Sequence, residues 1–197
     1  MKITSIRTGW LILLVCISLI LSGCSGRITP PTTPETPRAV FVLDHGQHSS
    51  LVIEDKHGNL ARYSYGDWRY YAEGKTSFWS GLRAVFAPTK AALGRKQLSG
   101  PATLENVYKQ VRISVIKAVP LEAEASAVDA LQYKLETIYL QNQDSKIYRQ
   151  DYDLEFVHHP MAYSVRHNSN QIIGQWLTEL GSEIHGWQLL SNWQVRH

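Results

Sequence analysis

The chain has 197 residues, 44% of them hydrophobic, and a formal charge of +3. That length and apolar content suit one domain with one core. So small a charge, with no basic stripe, phosphate loop or glycine fingerprint, excludes nucleic-acid and mononucleotide binding as expected classes.

The first residues read as an export signal. Lys2 and Arg7 form a short positive region, and residues 10–21 are an apolar run of signal-peptide length, too short for a confident membrane span. Leu21-Ser22-Gly23-Cys24 follows. Small residues before a cysteine at this point resemble the lipobox of bacterial lipoproteins. The resemblance implies cleavage after Gly23, a diacylglycerol thioether on Cys24 and acylation of the new amino terminus. Cys16 leaves with the signal, so the mature chain keeps Cys24 alone, with no disulfide, thiolate metal site or cysteine nucleophile. Removing Lys2 and Arg7 lowers the formal charge by two, from +3 to +1. Ser25 replaces the aspartate that holds such lipoproteins in an inner membrane, so the expected place is the outer membrane of the cell envelope, facing the periplasm. The expected organisation is residues 1–23 as signal peptide, 24–38 as lipidated cysteine with a flexible Pro/Thr-rich tether, and 39–197 as the globular domain.

Within the domain, residues 39–43 form an apolar run expected as a buried strand, and residues 50–54 a second. Gly58 and Asn59 suit positive φ in a turn, and the alternating residues 60–65 then close a hairpin. Residues 78–86 read as helical. Residues 111–116 alternate and read as a strand. Residues 121–139 read as the clearest helix, with Val128, Leu131, Leu135 and Ile138 on one face, Pro120 before it, and Glu122 and Glu124 at its positive end. Residues 154–157 form a short strand or loop. Asn168 or Ser169 caps a second helix that buries Ile172, Ile173, Trp176, Leu177 and Leu180, and Gly181 ends it. Residues 187–195 read as a last strand. The fold class is α+β, a small antiparallel sheet with packed helices.

The densest polar signal is Asp44-His45-Gly46-Gln47-His48-Ser49-Ser50, where a sheet can hold an imidazole still. The second is Arg166-His167-Asn168-Ser169-Asn170, opening a helix whose free N–H groups suit a nucleophile and an oxyanion. Tyr65-Gly66-Asp67-Trp68 ends the third strand. His45 reads as structural, bonded to Asp44. Trp68, Tyr70, Tyr71, Phe78 and Trp79 read as core or groove. His158-His159-Pro160 reads as a loop. His45, His48, His158 and His159 lack any zincin-like pattern, so no metal and no cofactor is expected.

These segments together resemble the circularly permuted branch of the papain-like NlpC-type superfamily, to which lecithin-retinol-acyltransferase-like proteins belong, and within it a family of bacterial membrane-associated lipoproteins. The resemblance spans roughly residues 40–181. It implies that His48 matches the catalytic base, Ser169 the position of the catalytic cysteine, and Asp67, with Tyr65 behind it, the group that orients the imidazole. Serine in that place changes the chemistry. A helix dipole and an imidazolium lower a thiol into ionisation but cannot do so for a hydroxyl. The expected function is therefore a degenerate, non-catalytic binding module of the envelope, with a peptidoglycan or lipid ligand. The alternative is a serine-variant amidase, esterase or acyltransferase working through Ser169 and His48.

Overall fold

The computed structural model describes residues 26–75 and 88–196. The signal peptide, Cys24 and the helix expected over residues 78–86 lie outside the described residues.

Strands β1 (Arg27–Thr29), β2 (Pro37–Asp44), β3 (Ser49–Glu54) and β4 (Leu60–Asp67) come first, then helix α1 (Trp68–Tyr71). Next are β5 (Thr89–Leu98), α2 (Leu104–Gln110), β6 (Lys117–Glu124) and α3 (Ala125–Gln141). The chain continues through β7 (Ile147–Arg149), β8 (Leu154–Tyr163), α4 (Ser169–Glu179), β9 (Glu183–His185) and β10 (Gln194–Val195). An antiparallel sheet of seven strands runs β6-β2-β3-β4-β5-β8-β7, and a three-stranded sheet runs β10-β1-β9. The class is α+β, as the sequence pattern predicts, but the main sheet has seven strands rather than being the small sheet expected, because β5, β8 and β7 extend it beyond the β2–β4 meander.

Period-two alternation assigns each strand residue to a face of the large sheet. Val40, Val42, Leu51, Ile53, Tyr63, Tyr65, Leu93 and Val157 join one core with α3 and α4. The opposite face carries two smaller clusters. Phe41, Leu43, Val52 and Leu98 pack with Val107 of α2, and Ala92, Leu154 and Phe156 pack with Trp68 and Tyr71 of α1.

Several expected boundaries move. The turn at Gly58 has φ of +78° and joins β3 to β4 as predicted. Residues 121–124 are strand, not helix: Val119, Leu121 and Ala123 are buried alternately in β6, and α3 starts only at Ala125. Pro120 sits inside β6, which tolerates it because β6 is an edge strand with one partner, β2. Glu124 does not serve the helix dipole by capping. Its carboxylate accepts from the Glu35 and Thr36 amides. Residues 111–116 bury Val111 but form no ladder. The short strand expected at 154–157 extends to Tyr163 and takes in His158, His159 and Pro160, so those three are not a loop. Of residues 187–195 only Gln194–Val195 is strand.

The segment expected as a free tether is built into the fold from Gly26 onward. Arg27–Thr29 is the central strand of the small sheet, and Ile28 is fully buried against Trp193 and the α4 core. Two short polar flanks hid one apolar residue whose strand partners, Ile184 and Val195, lie more than 150 residues away.

Candidate functional site

Helix α4 opens as expected. Asn168 is its cap, and its Oδ1 accepts from the amides of Asn170 at 2.9 Å and Gln171 at 3.0 Å. Gly181, at φ +87°, follows the helix end. Ile172, Ile173, Trp176, Leu177 and Leu180 are all buried, which lays α4 across β3 and β4.

This packing brings the start of α4 to the start of β3, but not through the residues predicted. The contact is made by Asn170 and Ser49. Ser49 Oγ donates to Asn170 Oδ1 at 2.9 Å and accepts from Trp193 Nε1 at 2.7 Å. Asn170 Nδ2 donates to the carbonyls of Gln47 at 3.2 Å and Leu189 at 3.1 Å. Every polar atom here has a partner, and Ser49, Asn170 and Trp193 are buried. Ser169, the predicted nucleophile, is buried at the first helical position, and no hydrogen bond joins it to His48 among the described residues. Two of the amides that could hold an oxyanion are occupied by Asn168.

His48 belongs to the other face of the sheet. Its ring stacks on His45 at 5.0 Å and meets Tyr71 at 5.5 Å and Tyr152 at 6.0 Å edge-on. Tyr71 and Tyr152 are themselves 4.8 Å apart. The Tyr65-Gly66-Asp67 turn explains Tyr71's position. A Cβ on Gly66 would lie 2.2 Å from the Tyr71 ring, so only glycine lets that ring lie on β4. No hydrogen bond joins Asp67, the predicted orienting group, to His48 among the described residues. Asp67 caps α1, accepting from Tyr70 N at 2.8 Å, and its other oxygen accepts from Thr89 Oγ1.

Beneath the rings lies Arg62, 1% exposed. Its Nε donates to Ser50 Oγ at 3.1 Å and its Nη1 to the Tyr152 carbonyl at 3.2 Å. His45 is bonded to Ser114 and Ser50 rather than to Asp44. A carbonyl only accepts, so His45 Nδ1 carries the proton toward Ser114 O at 2.7 Å, and Nε2 accepts from Ser50 Oγ at 2.8 Å. Asp44 instead accepts from Gly46 N at 2.7 Å and from Ser191 Oγ. Burial, then the Arg62 guanidinium, holds His45 down at about 3 and His48 at about 4. Both imidazoles are therefore neutral at neutral pH. Burial also lowers Arg62 itself, to about 10, against the opposing field of Asp153.

The Ser50–His45 pair has the atoms of a hydroxyl and its base. Yet Ser50 is fully buried and its oxygen already accepts from Arg62. No carbonyl carbon reaches such an oxygen. The network fixes ring orientation. His48 keeps its ring nitrogens out of any hydrogen bond among the described residues and presents its ring to two tyrosines that also touch each other.

His158 and His159 do not touch the His45–His48 pair; His158 stacks on Trp68 at 3.7 Å. They border a groove of about 460 Å³ with Thr89, Lys90 and Asn142. His159 packs edge-on against Tyr65 at 5.0 Å and accepts from Met161 N. Sequence reasoning marked the segments holding Ser49, Ser50 and Asn170 but gave those three no role, and it missed Arg62 and Trp193. The parity of β3 was the available signal: Ser49 shares a face with Leu51 and Ile53, and His48 does not.

No family model, curated protein or solved structure matches the chain.

Proposed function

We propose that this chain is a lipid-anchored cell-envelope protein with a degenerate, permuted papain-like domain that binds a ligand and does not turn it over. Cys24 carries the lipid, and the expected position is the periplasmic side of the outer membrane. One observation carries the non-catalytic reading. Where the late helix meets the histidine strand, the paired residues are Ser49 and Asn170, closed over by Trp193. Among the described residues no base or thiol stands at that junction, and two of the amides an oxyanion would need are taken by Asn168. The approach of the α4 start to the β3 start supports the superfamily resemblance. The chemistry of the pair supports loss of catalysis.

Binding falls to the ring cluster of His45, His48, Tyr71 and Tyr152 around Arg62. The ligand class is a peptidoglycan peptide or a lipid. The test compares the Cys24→Ser chain, which stays soluble, with its His48→Ala and Ser169→Ala derivatives. Each is incubated with purified sacculi and, separately, with phospholipid vesicles. Retention on one of the two is expected to fall in His48→Ala and to be unchanged in Ser169→Ala. Cleavage of a peptide or ester bond by the parent, lost in Ser169→Ala, would overturn the reading in favour of a serine hydrolase.

A further inference from the structure

The N-terminal end of the described chain emerges at one particular place on the fold. Gly26 is buried, and a Cβ placed on it would lie 2.5 Å from the Trp193 ring and 3.1 Å from Gln188. Its carbonyl accepts from Gln194 N at 3.0 Å. Cys24 is two residues earlier, so chain length limits the separation of Cys24 from Gly26 to about 7 Å. A free tether running to Arg38 would instead have allowed about 50 Å. Folding of β1 removes that slack.

The same end of the molecule carries three exposed apolar side chains. Ile116 is 68% exposed, Trp187 52% and Leu190 38%. Their positions interlock with the emergence point. Ile116 N donates to Asp44 O, and its Cδ1 would lie 3.2 Å from a Cβ on Gly46. Lys117, next to it, donates to the Trp193 carbonyl at 3.2 Å. Leu189, between Trp187 and Leu190 in the same loop, accepts from Asn170 at the α4 start. With its amide turned to suit both neighbours, Gln171 joins Trp187 Nε1 to the Arg166 carbonyl. Lys117 and Arg166 are exposed beside the apolar residues.

We propose that this end of the fold is seated directly on the lipid bilayer, with Ile116, Trp187 and Leu190 at the headgroup–acyl boundary and Lys117 and Arg166 among the headgroups. The proposal rests on lipidation of Cys24. A tryptophan and two aliphatic residues flanked by cations match the composition of interfacial contacts. An anchor about 7 Å from the fold makes the contact effectively intramolecular, so a small apolar area suffices.

The test uses the full chain, processed by its own leader in a bacterial host and reconstituted into vesicles of phosphatidylethanolamine and phosphatidylglycerol. Single cysteines replace Ile116, Trp187, Leu190 and, as an exposed control on α3, Tyr133. The lipid on Cys24 blocks its own sulfur, so an environment-sensitive fluorophore labels only the introduced thiol. Labels at 116, 187 and 190 are expected to emit further to the blue than at 133. Acyl chains brominated near the headgroup should quench them at least ~2-fold more strongly, as insertion of a few ångströms requires. Equal quenching at all four sites, in protein whose N-terminal peptide carries acyl chains by mass spectrometry, overturns the seating and leaves the anchor standing. An N-terminal peptide without lipid overturns the anchor, and the seating with it.

Discussion

Asn170 holds the junction between α4 and β3, and its loss separates two readings of the helix start. Its side chain makes three hydrogen bonds in a buried site, to Ser49, Gln47 and Leu189. Asn170→Ala strands two carbonyls, and each buried group left without a partner costs about 1–3 kcal/mol. The expected loss in urea denaturation is about 3 kcal/mol. Ser169→Ala, one residue earlier, removes a buried hydroxyl that makes no side-chain hydrogen bond among the described residues and should cost no more than about 1 kcal/mol. A reversed order would return Ser169 to the centre of the site. The imidazoles give a second residue-scale prediction. His45 and His48 have folded values of about 3 and 4, below the ordinary value of 6.5, and His159 is also held to about 4. A lowered imidazole is neutral in the folded chain while the unfolded chain takes up a proton. Stability from these groups is complete above pH 6.5 and is lost as pH falls from there toward 4. The loss per imidazole between pH 7 and pH 5 is on the order of 2 kcal/mol. His48→Phe cannot titrate, so the slope of stability against pH in this window should fall by about one proton. An unchanged slope would mean that His48 is protonated alike in both states.

Elements differ in how much of themselves the sequence discloses. Helix α4 was legible because its signals are local: Asn168 as cap, Gly181 after the end and apolar residues at three- and four-residue spacing. The β3–β4 hairpin was legible for the same reason, through Gly58. The start of α3 was not. Val119, Leu121 and Ala123 keep a period of two, but Pro120 hides it, and only the edge position of β6 makes that proline acceptable. The candidate site was half legible. The Asp44–Ser50 segment and the α4 start do lie together, yet parity along β3 sends Ser49 toward the helix and His48 away from it. Arg62 was invisible because an arginine inside an alternating strand reads as a solvent-facing residue, whereas here two apolar clusters flank it and Tyr152 covers it. The Tyr65-Gly66-Asp67 motif acts at this scale as a mount for α1. Gly66→Ala puts a methyl into the Tyr71 ring, so α1 must shift. The expected cost is about 1–3 kcal/mol. The His48 ring resonances, now beside Tyr71, should move in the NMR spectrum. Unmoved resonances would show that Tyr71 does not hold His48.

At the scale of the whole molecule the question is where the folded unit begins. A domain starting at residue 39 on a flexible leash would tolerate loss of everything before it. In this fold β1 joins β9 to β10, and Ile28 fills a space bounded by Ile184, Trp193 and Val195. Removing it deprives Gln194 and Arg196 of their backbone acceptors on Gly26 and Ile28. It also opens the Trp193 ring, whose indole holds Ser49 and through it Asn170. Damage at the first strand therefore reaches Asn170 at the α4–β3 junction, more than 140 positions along the chain. A soluble chain starting at Pro37 is expected to be less stable than the Cys24→Ser chain by at least ~3 kcal/mol, the cost of losing one fully buried isoleucine side chain before any backbone term. Its tryptophan emission should move to the red as Trp193 meets water. Equal denaturation midpoints and equal emission would restore the tether. They would also remove the geometric link between the lipid on Cys24 and the face that carries Trp187.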